Sequence, residues 1–81
     1  MKKSEKDKLE KEFLVRLGAH LKLLRTAYGM SQESFSELCG LDRTYTSSVE
    51  NGRRNVSVVA LYSMAKALDI PLAKLMDVSV N

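Results

Sequence analysis

The amino-acid sequence predicts an all-α fold, a five-helix bundle formed by one small domain. Apolar residues recur at spacings of three and four along most of the chain, which is the period of an amphipathic helix. No segment alternates polar and apolar residues as a half-buried strand would, and the chain has a single proline. A chain of 81 residues has room for one core. Cores of this size are marginally stable, and dimerisation often supplements them.

The first helix is predicted from an apolar stripe that ends at a glycine. Gly29 follows the stripe and suits the left-handed backbone of a helix C-terminus. Residues 1–12 carry five lysines and four acidic residues, and they either extend this helix through Glu–Lys pairs or fray. We therefore divide the chain into a charged N-terminal extension, 1–12, and a folded domain, 13–81. The stripe consists of Phe13, Leu17, Leu21, Leu24 and Tyr28.

The second and third helices are predicted from their capping residues. Ser31 can accept a hydrogen bond from the free amides of the second helix, and Asp42 can do the same for the third. Gly40 ends the second helix, and Asn51-Gly52 ends the third, which runs over 43–50. The inward-facing residues are expected to be Phe35, Leu38 and Cys39 on the second helix, with Leu41, Thr46 and Val49 from the turn and the third helix.

Two further helices complete the predicted bundle. Ser57 is the expected N-cap of the fourth helix, and Pro71 suits the first turn of a short fifth helix that reaches about Met76. The tail, 77–81, is expected to be extended. The apolar stripe of the fourth helix consists of Val58, Leu61, Met64, Ala65 and Leu68.

The tight, glycine-containing connection between the second and third helices is typical of a helix-turn-helix, a DNA-binding motif. Ser36 is small where the two helix axes should cross. The outward residues of the third helix suit base edges, because arginine donates to guanine, hydroxyls bond to bases or phosphates, and the threonine methyl meets thymine. These predicted base-reading residues are Arg43, Thr44, Tyr45, Ser47 and Ser48.

Residues on either side of the third helix suit the DNA backbone. Gln32 opens the second helix, where its amide and the free helix amides can hold a phosphate. The loop after the third helix is polar and basic, and such contacts fix register without reading sequence. Its predicted backbone contacts are Asn51, Arg53, Arg54 and Asn55.

The stretch from Met30 to Leu41, followed by Thr46 to Asn55, resembles the phage-repressor class of helix-turn-helix proteins, often called the Xre or Cro/C1 family. Within it, Leu41-Asp-Arg-Thr-Tyr45 and Glu50-Asn-Gly-Arg-Arg-Asn55 resemble the controller proteins of restriction–modification systems. The resemblance implies a small dimeric transcriptional regulator that binds a pseudo-palindromic operator, with Arg43 and Thr44 reading bases. A phage-type repressor, the antitoxin of a toxin–antitoxin pair, and a helical bundle that only binds proteins are the alternatives.

Two residues depart from this family's pattern. Ser36 stands where the family usually has alanine, and Thr46 stands where it usually has a branched aliphatic residue. We expect the Thr46 hydroxyl to bond a carbonyl one turn back in its own helix. Glu33 and Glu37 most simply solubilise the second helix, and the alternative that the resemblance implies is an acidic patch that touches RNA polymerase.

The charge distribution favours dimerisation through the C-terminal third. Net charge is +1 over residues 1–12, +2 over 13–54 and zero over 55–81, so the last segment is a poor DNA surface. Arg16, Lys22 and Arg25 lie on the first helix, where a solvated face is the ordinary interpretation, and we favour it for Lys22. The predicted homodimer interface consists of Tyr62, Lys66, Ile70, Leu75, Met76 and Val78.

Other function classes are poorly supported. The chain has one cysteine, Cys39, and one histidine, His20, so neither a disulfide, a metal site nor a catalytic set is expected, and no cofactor is implied. Cys39 is expected to be a small buried apolar residue that is inert, and His20 to be partly exposed. The first residues have no apolar run typical of a signal peptide, and no segment suits a membrane span. A cytoplasmic protein is expected.

Overall fold

A computed structural model describes residues 2–78 and places five α-helices there, with no strand in that range. The all-α prediction is therefore confirmed. Met1 and residues 79–81 lie outside the described part. Most of the tail predicted to be extended, 77–81, is therefore not described. The helices are α1 (Lys3–Ala27), α2 (Gln32–Cys39), α3 (Arg43–Glu50), α4 (Val58–Ala67) and α5 (Leu72–Leu75).

The three predicted N-caps are confirmed by hydrogen bonds. Ser31 Oγ accepts from the Ser34 N–H at 3.0 Å, Asp42 Oδ1 from the Thr44 N–H at 2.7 Å, and Ser57 Oγ from the Ala60 N–H at 3.0 Å. Each bond satisfies one amide that the helix itself leaves free. Gly40 has a φ of 67°, so the turn between α2 and α3 uses the left-handed conformation that glycine adopts without strain.

The charged N-terminal segment is helical from Lys3 and forms the first turns of α1, so of the two sequence alternatives the structure shows the extended helix. The Lys6 Nζ and Glu10 Oε1 atoms are 3.9 Å apart, one turn apart along the helix. Both side chains are mainly exposed, and an ion pair of this kind adds little stability. The packing of the later turns of α1 against the rest of the domain therefore stabilises this helix more than the ion pair does.

The core is built from residues of all five helices. Pro71 is the N-cap of α5 and does not lie inside its first turn. Leu75 was predicted to lie in a dimer interface, but it is fully buried because α5 packs its inward face on α4 and α1. Met64 is fully buried and packs in the core, as its position in the predicted stripe indicates. The buried apolar cluster consists of Leu17, Leu21, Phe35, Val49, Leu61, Met64, Ala65, Leu68 and Leu75.

Three residues predicted to face inward are exposed. Leu38 is 65% exposed because α2 buries the face shared by Phe35, Ser36 and Cys39, and at 100° per residue Leu38 points well away from it. Tyr28 lies beyond the last residue of α1, so the stripe stops before reaching it. Val58 is in the first turn of α4 at one end of the bundle, where it is 67% exposed.

A single glycine sets the distance between α1 and α3. Gly18 is buried, and a Cβ atom added there would overlap the carbonyl oxygen of Val49 and lie 2.7 Å from that of Glu50. The two helix backbones therefore touch at this point. Because α3 carries the predicted base-reading residues, the absence of a side chain at Gly18 helps to position them.

The two residues that depart from the family pattern bond to each other. Ser36 Oγ and Thr46 Oγ1 are 2.8 Å apart between α2 and α3, and both residues are buried. The expected bond from Thr46 to a carbonyl one turn back is present but long, at 3.5 Å to the Asp42 oxygen. Each hydroxyl thus supplies a partner for the other where an unpaired one would be costly.

We expect single substitutions in this pair to cost more than the double substitution. Ser36→Ala or Thr46→Val alone should lower the free energy of unfolding by about 1–3 kcal/mol, because one buried hydroxyl loses its partner. The double variant should lie within about 1 kcal/mol of the native protein, because both polar groups are then removed together. Urea denaturation measures all three values. Ser63→Ala is the control, since within residues 2–78 that hydroxyl bonds only to the Val59 carbonyl of its own helix. Equal losses from the singles and the double would contradict the pairing.

Candidate DNA interface

The outward residues of α3 and the loop that follows it line one shallow cleft. Arg43 and Thr44 are exposed at the start of α3, where the helix N-terminus adds positive potential. The cleft has a volume of about 320 Å³, and no acidic residue lines it. It therefore suits the negatively charged surface of DNA. Its lining residues are Arg43, Thr44, Ser47, Ser48, Asn51 and Arg53.

The cleft brings together residues predicted separately as base-reading and as backbone contacts. Asn51 caps the last turn of α3 through its own side chain, since its Nδ2 donates to the Ser47 carbonyl at 2.9 Å. Arg53 follows on the loop and is exposed. Asn55 is also exposed but lines a different depression, beside α1. Two arginines thus flank the outward face of α3.

Tyr45, Ser48 and Arg54 form a cluster that we call the Arg54 bracket. The Arg54 guanidinium lies 4.6 Å from the centre of the Tyr45 ring, and its Nε donates to Ser48 Oγ at 2.9 Å. Ser48 Oγ in turn donates to the Tyr45 carbonyl at 2.7 Å. Tyr45 is half-buried, and its Oη accepts from the Ser57 N–H at 3.3 Å. The bracket therefore fixes Arg54 on α3 instead of leaving it on a loose loop.

A buried ion pair holds the other end of α3. Arg25 Nε donates to Glu50 Oε2 at 2.6 Å and its Nη2 to Glu50 Oε1 at 3.0 Å, while its Nη1 donates to the Met30 carbonyl at 2.7 Å. Only 6% of Arg25 is exposed, so this residue is not part of a solvated face, whereas Lys22 is exposed as expected. The position of Arg25 one turn after Leu21, on the buried stripe, was the signal in the sequence.

The same carboxylate orients Gln32. The Gln32 Nε2 donates to Glu50 Oε1 at 3.0 Å, which ties the first residue of α2 to the last residue of α3. An amide nitrogen carries two protons, so one remains to meet a phosphate. The Arg25–Glu50–Gln32 network therefore fixes the relative orientation of the two motif helices.

The C-terminal third presents an exposed apolar face. Only some of the residues predicted to form the dimer interface lie on it. Tyr62, Lys66 and Met76 are exposed, Ile70 and Val78 are half-buried, and Leu75 belongs to the core as described above. Val59, which sequence reasoning missed, is 74% exposed beside Val58. The signal was that α4 has more apolar residues than one buried face needs.

The single cysteine and the single histidine have ordinary structural roles. Burial raises the pKa of the Cys39 thiol to about 11, so the thiol stays protonated and unreactive near neutral pH. His20 is partly exposed, and its Nε2 lies 3.0 Å from the Lys74 carbonyl, which joins α1 to α5. Within residues 2–78, no three side chains of His, Cys, Asp or Glu lie together so that they could hold a metal ion. Every helix among these residues is too short or too polar to span a membrane.

Comparison with known proteins supports the helix-turn-helix assignment. Residues 21–75 match the helix-turn-helix family. The chain is 50% identical over 62 residues to the control protein C.MunI of a Mycoplasma species, covering 75% of this chain and 84% of that protein. It is 40% identical over 60 residues to the control protein C.SmaI of Serratia marcescens, covering 74% and 71%. The crystal structure of the restriction–modification controller protein C.AhdI from Aeromonas hydrophila superimposes with a TM-score of 0.76 at 52% identity, covering 76% and 94%.

Proposed function

Because the chain belongs to the helix-turn-helix family of DNA-binding transcription regulators, we propose that it is a homodimeric controller of a restriction–modification system. Family membership makes it a transcription regulator and not an enzyme. The observation that carries the proposal is the basic cleft on α3, in a chain that is 50% identical over 62 residues to a control protein. A cytoplasmic location is part of the proposal, on the basis of a single unpaired cysteine.

We assign the base-reading role to the exposed start of α3. Arg43 reaches a guanine through two parallel hydrogen bonds, and Thr44 offers a hydroxyl and a methyl group to the next base. Ser47 lines the same cleft, whereas Tyr45 does not line it and its ring contacts Arg54 instead. The backbone contacts are then Gln32, Asn51, Arg53 and Asn55, together with the free amides at the start of α2.

The Arg54 bracket changes the sequence-based assignment of Ser48 and specifies which part of Arg54 meets DNA. Ser48 donates its hydroxyl proton within α3 and accepts from Arg54, so its role is to position that arginine and not to read a base directly. Among the described residues the Arg54 guanidinium bonds only through Nε. Its Nη groups are therefore the part that faces DNA. Stacking on Tyr45 reduces the side-chain entropy that Arg54 loses when it binds.

Substitutions of two arginines should separate the recognition of bases from contact with the DNA backbone. Arg43→Ala should weaken binding to the operator by about 1–3 kcal/mol and flatten discrimination at one base pair. Arg53→Ala should weaken binding to all sequences and reduce the slope of log K against log salt by about one. Titrations of operator and random duplexes at several salt concentrations measure both effects. Identical behaviour of the two variants on both duplexes would contradict this division of roles.

The homodimer places two copies of α3 in successive major grooves about 34 Å apart. Its support is the neutral C-terminal third, in which Val58, Val59 and Tyr62 are exposed apolar residues beside each other on α4. Sedimentation equilibrium at micromolar concentration, without and with operator DNA, should show a dimer. A monomer under both conditions would contradict it.

Sequencing the host DNA fragments that the protein retains would test the regulatory role. A site upstream of an endonuclease or methyltransferase gene supports the proposal, whereas a lysogeny region or a toxin gene favours a phage-type repressor or an antitoxin. Glu33 and Glu37 are exposed on α2, which supports RNA polymerase as a proposed partner at such promoters. Transcription by purified polymerase from the retained promoter then distinguishes activation from repression.

A further inference from the structure

A groove between the N-terminal turns of α1 and the start of α4 is apolar at its floor and charged at its rim. Its volume is about 840 Å³. Leu9 is the one apolar side chain among the charged residues of 3–12, and it faces this groove. The rim carries two acidic residues, Asp7 and Glu10, and one basic residue, Lys11, while Lys6 lies beside Glu10 at 3.9 Å. The apolar lining includes Leu9, Phe13, Val56, Val58, Leu61 and Met76.

The groove adjoins the exposed face of α4. Val59, Tyr62 and Lys66 are spaced by three and four residues, so they share one side of the helix. Val58 lies between that side and the groove, and lines the groove itself. Whatever covers Val59 and Tyr62 therefore also reaches the mouth of the groove.

Two-fold symmetry identifies which residue of the partner lies at the mouth of the groove. When two copies of α4 pair antiparallel about a two-fold axis, facing residues have a constant sum of numbers, because each contact occurs twice. If Val59 faces the partner's Tyr62, the partner's Lys66 lies beyond the N-terminus of α4, toward the loop that holds Asn55. If Tyr62 faces its own copy, the partner's Lys66 lies level with Val58. Asn55 and Val58 both line the groove.

We propose that this groove receives the C-terminal end of α4 from a second copy of the chain, with the partner's Lys66 as the central contact. The four-carbon stem of this lysine lies on Leu9 and Val58, and its ammonium group meets the carboxylates of Asp7 and Glu10 at the rim. In the single chain, Lys66 Nζ is 5.9 Å from the Tyr62 ring centre and is exposed. The N-terminal turns of α1 are thus a second dimerisation element. The inference rests on the proposed homodimer.

Charge exchange in the full chain tests the contact. Asp7→Lys with Glu10→Lys should raise the dimer Kd about ten-fold, and Lys66→Glu should do the same, since two symmetric contacts are lost. Combining all three changes should restore the Kd to within about three-fold of the native value. Glu5→Lys with Glu37→Lys is the matched control, because it makes the same charge change on exposed residues outside the groove. Sedimentation equilibrium gives each Kd, and circular dichroism checks that the variants keep their helices.

A separate variant tests the apolar floor. Leu9→Ser should weaken the dimer and lower monomer stability only slightly, because Leu9 is 39% exposed and outside the buried core. A native dimer that is insensitive to these groove variants, or reversals that do not rescue each other, would overturn the groove contact and leave the homodimer standing. A native protein that stays monomeric with and without operator would overturn both.

Discussion

Replacing Glu50 with alanine should lower the free energy of unfolding by about 3–5 kcal/mol, because it leaves the Arg25 guanidinium buried without its counter-charge. Two of the three Arg25 nitrogens donate to this carboxylate. The loss is large relative to the total stability of a small domain, which is about 5–15 kcal/mol. Urea denaturation followed by circular dichroism measures it.

Two further variants show whether the cost arises from the unpaired charge. Arg25→Met with Glu50→Leu removes both charges and keeps the volume, so this double variant should be much more stable than Glu50→Ala alone. Glu37→Ala removes an exposed carboxylate and should change stability by less than about 0.5 kcal/mol. A Glu50→Ala variant no less stable than Glu37→Ala would show that the Arg25–Glu50 pair is not buried in solution.

Gly18→Ala should destabilise the protein by about 3 kcal/mol, at the upper end for overpacking, because the new methyl group meets the backbone of α3. The expected sign is informative, since glycine to alanine within an exposed helix usually stabilises by about 1 kcal/mol. Thermal or urea unfolding measures the change. Operator affinity should fall as well, because α3 must move away from α1.

The adjacent residue provides a matched control for helix propensity. Ala19 is exposed on the same turn of α1, and Ala19→Gly should cost only the propensity difference of about 1 kcal/mol. If Gly18→Ala stabilised the protein, α1 and α3 would be further apart in solution than described here.

Local signals made most of the fold predictable from the sequence. Ser31, Asp42 and Ser57 cap helices through atoms two or three residues away, so no tertiary information was needed to place them. The outward face of α3 was predictable for the same reason, because Thr46 and Val49 had to face inward. Position along one helix was enough to separate the exposed Arg43 and Thr44 from the buried Thr46 and Val49, but not to show that Tyr45 is half-buried.

The rest depended on contacts between distant segments. Arg25 and Glu50 are 25 residues apart, and no local pattern shows that a carboxylate will arrive beside that arginine. Leu75 looked available for an interface until the packing of α5 placed it in the core. Likewise, Arg54 was expected to contact phosphate, and only the structure shows the ring and hydroxyl that hold it.

The hydroxyl pair between α2 and α3 has an evolutionary consequence. Starting from an alanine at the position of Ser36 and an aliphatic residue at that of Thr46, either first substitution buries a hydroxyl without this partner. The second substitution is then favourable only because the first has occurred, so the two sites are epistatic. Descendants of this chain should therefore keep both hydroxyls or lose both, and lineages that carry one alone should be short-lived.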